Sequence, residues 1–273
     1  MWACPHCQLA LLASPDGASL VCANGHSFDR AREGYVNLLP ANRKRSPEPG
    51  DNSQMVAARR RVHDAQAYRP LADALAAELA GLPLLGSVLD LGCGEGYYTN
   101  ALARALPGTG LYGIDISRTA VRLAAKRCAG AEFAVASALR LPLPDAALDA
   151  VIRVFAPSQD PEVARVLNPG GYYLEVCPAP RHLWQLRAML YDKPRESPAA
   201  RSELAGMQLL RRRVVQYELN PAPDLVTDIV AMSPFSQRGH REKRERLQGA
   251  PPPVLSMGFS LHLFQCTPDV PGR

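Results

Sequence analysis

The chain has 273 residues, 47% of them hydrophobic, which is enough for one large domain or two unequal ones with a real core. Its 31 Lys and Arg against 26 Asp and Glu give a net charge of +5, a mild basicity that admits a polyanionic partner without requiring one. No apolar run reaches the ~18 residues of a membrane span, and the start, MWACPHCQ, lacks the charged and apolar regions of a secretory signal. A cytoplasmic protein with no membrane partner is therefore expected.

Of 7 cysteines, Cys4, Cys7 and Cys22 cluster at the amino terminus, and with His26 they read C-x2-C-x14-C-x3-H. Leu9 to Leu12 and Ser19 to Val21 are predicted as short strands joined by a turn at Ser14-Pro15-Asp16-Gly17. A hairpin would bring the two ligand pairs together, as tetrahedral Zn2+ requires, and a closed Cys3His shell makes the metal structural. His6 is a competing ligand, but its place inside the first turn favours His26. Cys93, Cys128, Cys177 and Cys266 are scattered, the pattern of reduced cysteines rather than of a disulfide framework.

Ser27 to Pro40 interleaves aromatic and basic residues, and Phe28 and Tyr35 are expected to pack the small module. Arg43-Lys44-Arg45 then precedes a linker, Ser46 to Asp51. Met55 to Ala80 reads as helix, broken near Arg69-Pro70, and carries Arg59-Arg60-Arg61. Both basic clusters are candidates for gripping phosphates; a plainly solvated role is the other reading.

Ser87 to Tyr98, SVLDLGCGEGYY, is the most informative stretch. Val88, Leu89 and Leu91 form a short apolar run, the mark of a strand buried on both faces. Asp90 stands near its end, Gly92, Gly94 and Gly96 follow, and Tyr97 to Leu106 reads as an amphipathic helix. Strand, glycine turn and helix form a ligand loop, because glycine permits unusual backbone angles and close approach. Leu111 to Ile114 is a second strand, with Asp115 at its carboxyl end, where an acid accepts hydrogen bonds from the ribose of a nucleoside cofactor. The G-x-G-x-G rhythm departs from the dinucleotide fingerprint.

Strands and helices continue to alternate: helix Ser117 to Cys128, strand Phe133 to Ala136, strand Asp149 to Phe155, helix Pro161 to Leu167 and strand Tyr172 to Val176. Such alternation predicts a parallel α/β sheet whose ligands sit beyond the carboxyl ends of the strands. Those ends carry Asp90 to Gly96, Asp115, Ser137, Arg153 to Pro157 and Pro178 to His182. In the less legible last third, Gln208 to Leu219 and Leu255 to Gln265 read as strands, and Pro223 to Met232 and Arg238 to Leu247 as helices.

The stretch VLDLGCGEGYYT followed by GIDIS resembles motif I and the acidic loop of class I S-adenosylmethionine-dependent methyltransferases. With the cysteine motif and the phrases REGYVNLLP, PGDN, RVFAP and PRHL, the chain is similar along most of its length to bacterial 23S rRNA guanine-N1 methyltransferases that carry an amino-terminal zinc motif. The resemblance implies a Rossmann-like doubly wound sheet closed by an antiparallel strand pair, with a zinc-binding module at residues 1–40, a basic linker and helical lead-in at 41–86 and a methyltransferase domain at 87–273. It implies S-adenosylmethionine contacts from Tyr68, Asp90, Gly92, Gly94, Glu95, Gly96, Tyr97, Asp115, Ile116, Ser137, Ala138 and His182. Ser137 stands where many members carry an acid for the adenine amino group. Arg153, Phe155 and Pro157 are expected to border the substrate base, and a homodimer is the implied assembly. Methyl transfer needs alignment and exclusion of water rather than a covalent nucleophile, so no catalytic residue is singled out. Two other readings share these features: a small-molecule methyltransferase, for which the zinc module and arginine triplets have no evident purpose, and a non-catalytic RNA-binding protein, against which the intact acids and glycines speak.

Overall fold

A computed structural model describes residues 1–40, 50–83, 85–199, 201–233, 235 and 241–267. Arg43, Lys44 and Arg45 lie outside the described residues.

The amino-terminal unit is a three-stranded antiparallel sheet of β1 (Leu12–Ala13), β2 (Ser19–Val21) and β3 (Ser27–Asp29), in that order. The predicted turn is present: Ser14 Oγ donates to Asp16 Oδ1 at 2.6 Å, and Gly17 takes φ +70°. The first strand begins at Leu12 rather than Leu9. The chain from Cys4 to Leu9 is instead a tight knuckle closed by Gln8 N–H to Cys4 O at 2.8 Å and Cys4 N–H to Leu9 O at 2.8 Å. A short strand β4 (Val36–Asn37) then leaves this unit.

Two helices follow, α1 (Ser53–Asp64) and α2 (Arg69–Ala80). Asn52 caps α1 by accepting from Met55 N–H at 2.9 Å. Pro70 falls in the first turn of α2, where a missing N–H costs nothing, so the break predicted near it lies just before it.

The alternating part then runs β5 (Ser87–Leu91), α3 (Tyr97–Ala105), β6 (Gly110–Asp115), α4 (Arg118–Arg127), β7 (Ala131–Val135), β8 (Leu148–Val154), α5 (Asp160–Val166), β9 (Leu167–Pro178), α6 (Trp184–Leu190), β10 (Met207–Leu219), α7 (Pro223–Ala231), α8 (Arg241–Gly249) and β11 (Leu255–Cys266). The eight-stranded sheet has the order β10-β11-β9-β8-β5-β6-β7-β4. It is parallel from β4 to β9, with β11 antiparallel to β9 and β10 antiparallel to β11. Strand order reverses between β5 and β8, and the crevice of an open α/β sheet lies at such a reversal. Helix α6 is absent from the sequence reading, and β9 starts at Leu167 rather than Tyr172, its irregular beginning held by Gln265 Nε2 donating to Gly170 O at 3.0 Å.

One face of the sheet packs under α2, α3, α6 and α7 through Leu71, Leu75, Leu102, Leu186 and Ile229. The other face carries Leu89, Leu91, Ile114, Val151 and Tyr173, covered by α5 and by Trp2, Leu11 and Leu20 of the amino-terminal unit. The connection from β7 to β8 contains no helix, although parallel crossovers usually do. Leu141 and Leu143 of that connection are buried beside Trp2, and Ala3 N–H donates to Pro142 O at 2.8 Å. The small unit thus packs where a crossover helix would otherwise shield the sheet. Tyr35 packs not within that unit, as expected, but on Val121 and Phe133 of α4 and β7, where Arg118 Nε donates to its hydroxyl at 3.1 Å.

Candidate cofactor crevice and zinc site

Cys4, Cys7, Cys22 and His26 converge, with their ligand atoms all within 4.8 Å of one another. Cys7 Sγ is 3.6 Å from Cys22 Sγ, and His26 Nδ1 lies 3.6, 3.6 and 3.3 Å from the sulfurs of Cys4, Cys7 and Cys22. A tetrahedron with Zn–S near 2.3 Å and Zn–N near 2.0–2.1 Å has edges of about 3.8 Å between sulfurs and about 3.6 Å from sulfur to nitrogen. The donor set therefore fits zinc in both chemistry and size. His6 is not one of the four; its ring stacks on Phe28 at 6.0 Å.

The glycine loop after β5 opens the crevice. Gly92, Gly94 and Gly96 have φ of +81°, +55° and +81°, values that side chains rarely adopt. A Cβ on Gly92 would run into Ala156, and one on Gly96 would stand 2.9 Å from the α4 backbone at Ala124. Only glycine lets the loop pass that close to the β8 end and to α4.

Asp115, at the end of β6, accepts from Gly94 N–H at 3.0 Å and Ser117 N–H at 2.8 Å. Two lone pairs remain for the hydroxyls of a ribose. Burial pushes its carboxyl up, opposed by those two N–H bonds and by the charge of Arg59. Asp90 is 2% exposed and accepts from Thr99 Oγ1 at 2.6 Å. Burial raises its carboxyl to about 7, so it titrates near neutrality.

Glu95 turns away from the crevice and holds helices together. It lies 2.6 Å from His63 Nδ1 of α1 and 3.1 Å from Arg127 of α4, which also reaches Asp64 at 2.5 Å. Burial alone would raise its carboxyl; the His63 bond and the charges of His63 and Arg127 outweigh it and hold it below the ordinary range. Tyr97 stacks on the same His63 ring at 4.2 Å. Helix α1 is thereby clamped over the loop. Arg59 of α1 pairs with Asp51 and sits beside Gly94. Asp51 O accepts from Ser117 Oγ at 3.1 Å, and Gly50 lies against Ile116.

On the β8–β9 side an aromatic group lines the opening. His182 lies 4.8 Å from Phe259, 6.3 Å from Phe155 and 6.5 Å from Tyr68. Its Nδ1 accepts from Gly258 N–H at 3.3 Å, and burial, aided by Arg187, pushes its pKa down to about 3. The ring is neutral at physiological pH and too weak a base to take a proton there. Phe155 is 44% exposed with φ +58°. Strict strand alternation would put it on the face of Arg153; the left-handed backbone instead brings its ring to His182 and Phe259. Such strain is a sign of function in a bulky residue.

The other predicted residues divide clearly. Ser137 and Ala138 follow β7 half-buried, with Ser137 Oγ accepting from Leu139 N–H at 3.2 Å. Pro157 is exposed at the rim. Arg153 points to the opposite face, where Glu175 pairs with it and it donates to Ser158 at 2.8 Å. Arg60 pairs with Asp64 on the surface, and Arg61 forms a two-pronged pair with Asp228 at 2.5 and 2.7 Å. His63, Arg127, Thr99, Asp51 and Phe259 are not assigned to the site by the sequence reading. His63 carries a faint signal, since it stands on the predicted helix ahead of Tyr68; Phe259 carries none, because it reaches the site on an antiparallel return strand.

A family model described as "RlmA, N-terminal" matches residues 2–47, and one described as "Methyltransferase domain" matches residues 88–171. The 23S rRNA (guanine(748)-N(1))-methyltransferase of Streptomyces fradiae is 36% identical over 97% of this chain and 96% of its own. The chain belongs to the 23S rRNA (guanine-N1)-methyltransferase family. It is an S-adenosylmethionine-dependent methyltransferase with an amino-terminal zinc ribbon. The fatty-acid O-methyltransferase of Mycolicibacterium smegmatis is 31% identical over 58% of this chain and 63% of its own, so the catalytic core is shared with enzymes of unlike substrates. A chain of the Haloferax volcanii complex of the Trm112 methyltransferase activator with a methyltransferase matches at TM-score 0.51 and 20% identity, over 80% of this chain and all of that one, a likeness of fold. No helix among the described residues is long and apolar enough to cross a membrane.

Proposed function

We propose that this protein transfers a methyl group from S-adenosylmethionine to N1 of one guanine in a hairpin loop of 23S rRNA, acting in the cytoplasm as a homodimer. The observation that carries this reading is the near full-length similarity to a named rRNA guanine-N1 methyltransferase, zinc ribbon included. The working division is a zinc module at 1–40, a lead-in at 41–86 and the methyltransferase domain at 87–273.

In this reading Gly92, Gly94, Gly96 and Asp90 cradle the methionine end of the cofactor, Asp115 and Ile116 the ribose, and Ser137 and Ala138 the adenine. Tyr68, Tyr97 and His182 close over it, and Glu95 serves by clamping α1 through His63. The cofactor supplies an electrophilic methyl group; the chain aligns the nucleophile with it and excludes water. N1 lies on the Watson–Crick edge, so the guanine must leave its stack or its pair. Phe155 is the exposed ring on which a splayed base can stack, and Pro157 borders it. Arg153 supports the Phe155 turn from the far face rather than touching the base. The N1 proton passes to solvent rather than to His182, whose buried ring is a weak base. Arg43, Lys44, Arg45, Arg60 and Arg61 contribute phosphate contacts, and Arg59 guards the loop.

The test is incubation of an unmodified 23S rRNA transcript with labelled S-adenosylmethionine, followed by mass mapping. Label on guanine N1 is expected. Label on a ribose, on another base or only on a small molecule overturns the reading and favours the small-molecule alternative.

A further inference from the structure

Strand β10 is the outermost strand of the large sheet, opposite in position to β4. At its centre stand Arg211, Arg212 and Arg213, all exposed. Arg211 pairs across the ladder with Leu263 and Arg213 with Leu261, so these two project to the α2 face; Arg212 pairs with His262 and projects to the other face. The strand edge is therefore cationic on both sides at once. The only carboxylate bound to the triplet among the described residues is Glu78 of α2, 3.1 Å from Arg211 and 3.2 Å from Arg213. Three guanidinium groups against one carboxylate leave two positive charges.

The same strand leads to the crevice. Tyr217, farther along β10, donates its hydroxyl to Ala67 O at 2.7 Å, next to Tyr68, and its ring lies 6.1 Å from Phe259. At about 3.3 Å per residue the arginines stand roughly 13–20 Å from Tyr217. Phosphates recur every few ångströms along a nucleic-acid backbone, so a span of this length reaches several of them.

We propose that the arginine edge of β10 is a phosphate-binding rail for the stem of the RNA hairpin whose loop enters the crevice. The proposal rests on the rRNA reading above. A second copy of the chain is the other occupant that an open sheet edge invites. Antiparallel pairing of two such edges about Arg212 would set Arg211 of one copy against Arg213 of the other, and directly opposed like charges destabilise a strand pair. A polyanion meets the same edge with complementary charge. Leu210, exposed at the bulge in the β10–β11 register, breaks the regular edge further.

The test uses the full chain with Arg212→Glu and Arg212→Gln, positions that leave the Glu78 pairs intact. Binding to an unmodified 23S rRNA transcript is measured over a salt series, together with methylation kinetics and S-adenosylmethionine affinity. Arg212→Glu should raise KM for RNA at least several-fold and lower the salt slope by about 0.7–0.9 for each lost phosphate contact, with kcat at saturating RNA and cofactor affinity unchanged. Arg212→Gln should fall between. Wild-type protein that methylates the transcript while Arg212→Glu keeps its KM and slope overturns the rail alone. A variant whose oligomeric state changes while its RNA binding does not assigns the edge to a second copy and overturns it too. Failure of the wild type to methylate RNA at all overturns the underlying function, and the rail with it.

Discussion

Replacing Trp2 with Ala tests whether the zinc ribbon is an appendage or a wall of the catalytic domain. Trp2 is 2% exposed, packs edge-on against Tyr112 of β6 at 5.7 Å and donates Nε1–H to Glu132 of β7 at 3.0 Å. None of these contacts is within the ribbon itself. Truncating a buried Trp costs about 3–5 kcal/mol through lost transfer energy and the cavity left behind. Each kcal/mol moves the melting point of a domain this large by roughly 2–4 °C, so the main calorimetric transition should fall by about 6–20 °C. Zinc content should stay at one equivalent, because Cys4, Cys7, Cys22 and His26 hold their own knuckles. Chelation in the wild type should act in the same direction and shift the emission of Trp2 to the red, read in a Trp184→Phe background. A main transition that moves by less than about 2 °C, or a separate early transition for the ribbon alone, would refute the reasoning.

Asp115→Asn should weaken S-adenosylmethionine binding by about 10- to 150-fold, the loss of roughly 1.5–3 kcal/mol of hydrogen bonding to a charged acceptor; calorimetric titration with an unchanged dissociation constant would remove Asp115 from the ribose site. Glu95→Ala should cost about 3–5 kcal/mol in urea unfolding, because it leaves His63 and Arg127 without their buried partner; a variant of wild-type stability would show that the clamp carries no weight. His182 has a folded pKa of about 3 against an ordinary value near 6.5. Only the unfolded chain takes that proton as pH falls from about 6.5 toward 3, so folding should lose about 1.4 kcal/mol per pH unit in that window. The loss should be absent from His182→Gln relative to wild type, and parallel stability curves for the two proteins would contradict a neutral buried ring.

Much of the site could be read in the chain because its chemistry is local. The G-x-G-x-G loop, Asp90 and Asp115 belong to consecutive strand–turn–helix units, where spacing alone fixes which residue reaches a strand's carboxyl end. The zinc ligands come as two pairs on knuckles, so pairing one hairpin assembles all four. The elements that complete the site were settled by packing between distant segments. Glu95 has the position of a cofactor contact in its loop, yet His63 and Arg127, brought together by the crossing of α1 and α4, draw it away from the crevice. Arg153 and Phe155 are two residues apart and alternation assigns them one face; the left-handed turn at Phe155 separates them. Tyr35 lies in the ribbon's sequence and packs on α4. Trp2 stands at the second position, yet it covers β6 and β7 more than a hundred residues on, because the β7–β8 connection supplies no helix to do so. Local spacing determines which chemistry each segment can offer, since it depends only on backbone periodicity. Which segment shields which face depends on apolar surface left uncovered elsewhere in the chain, and only the folded structure decides that.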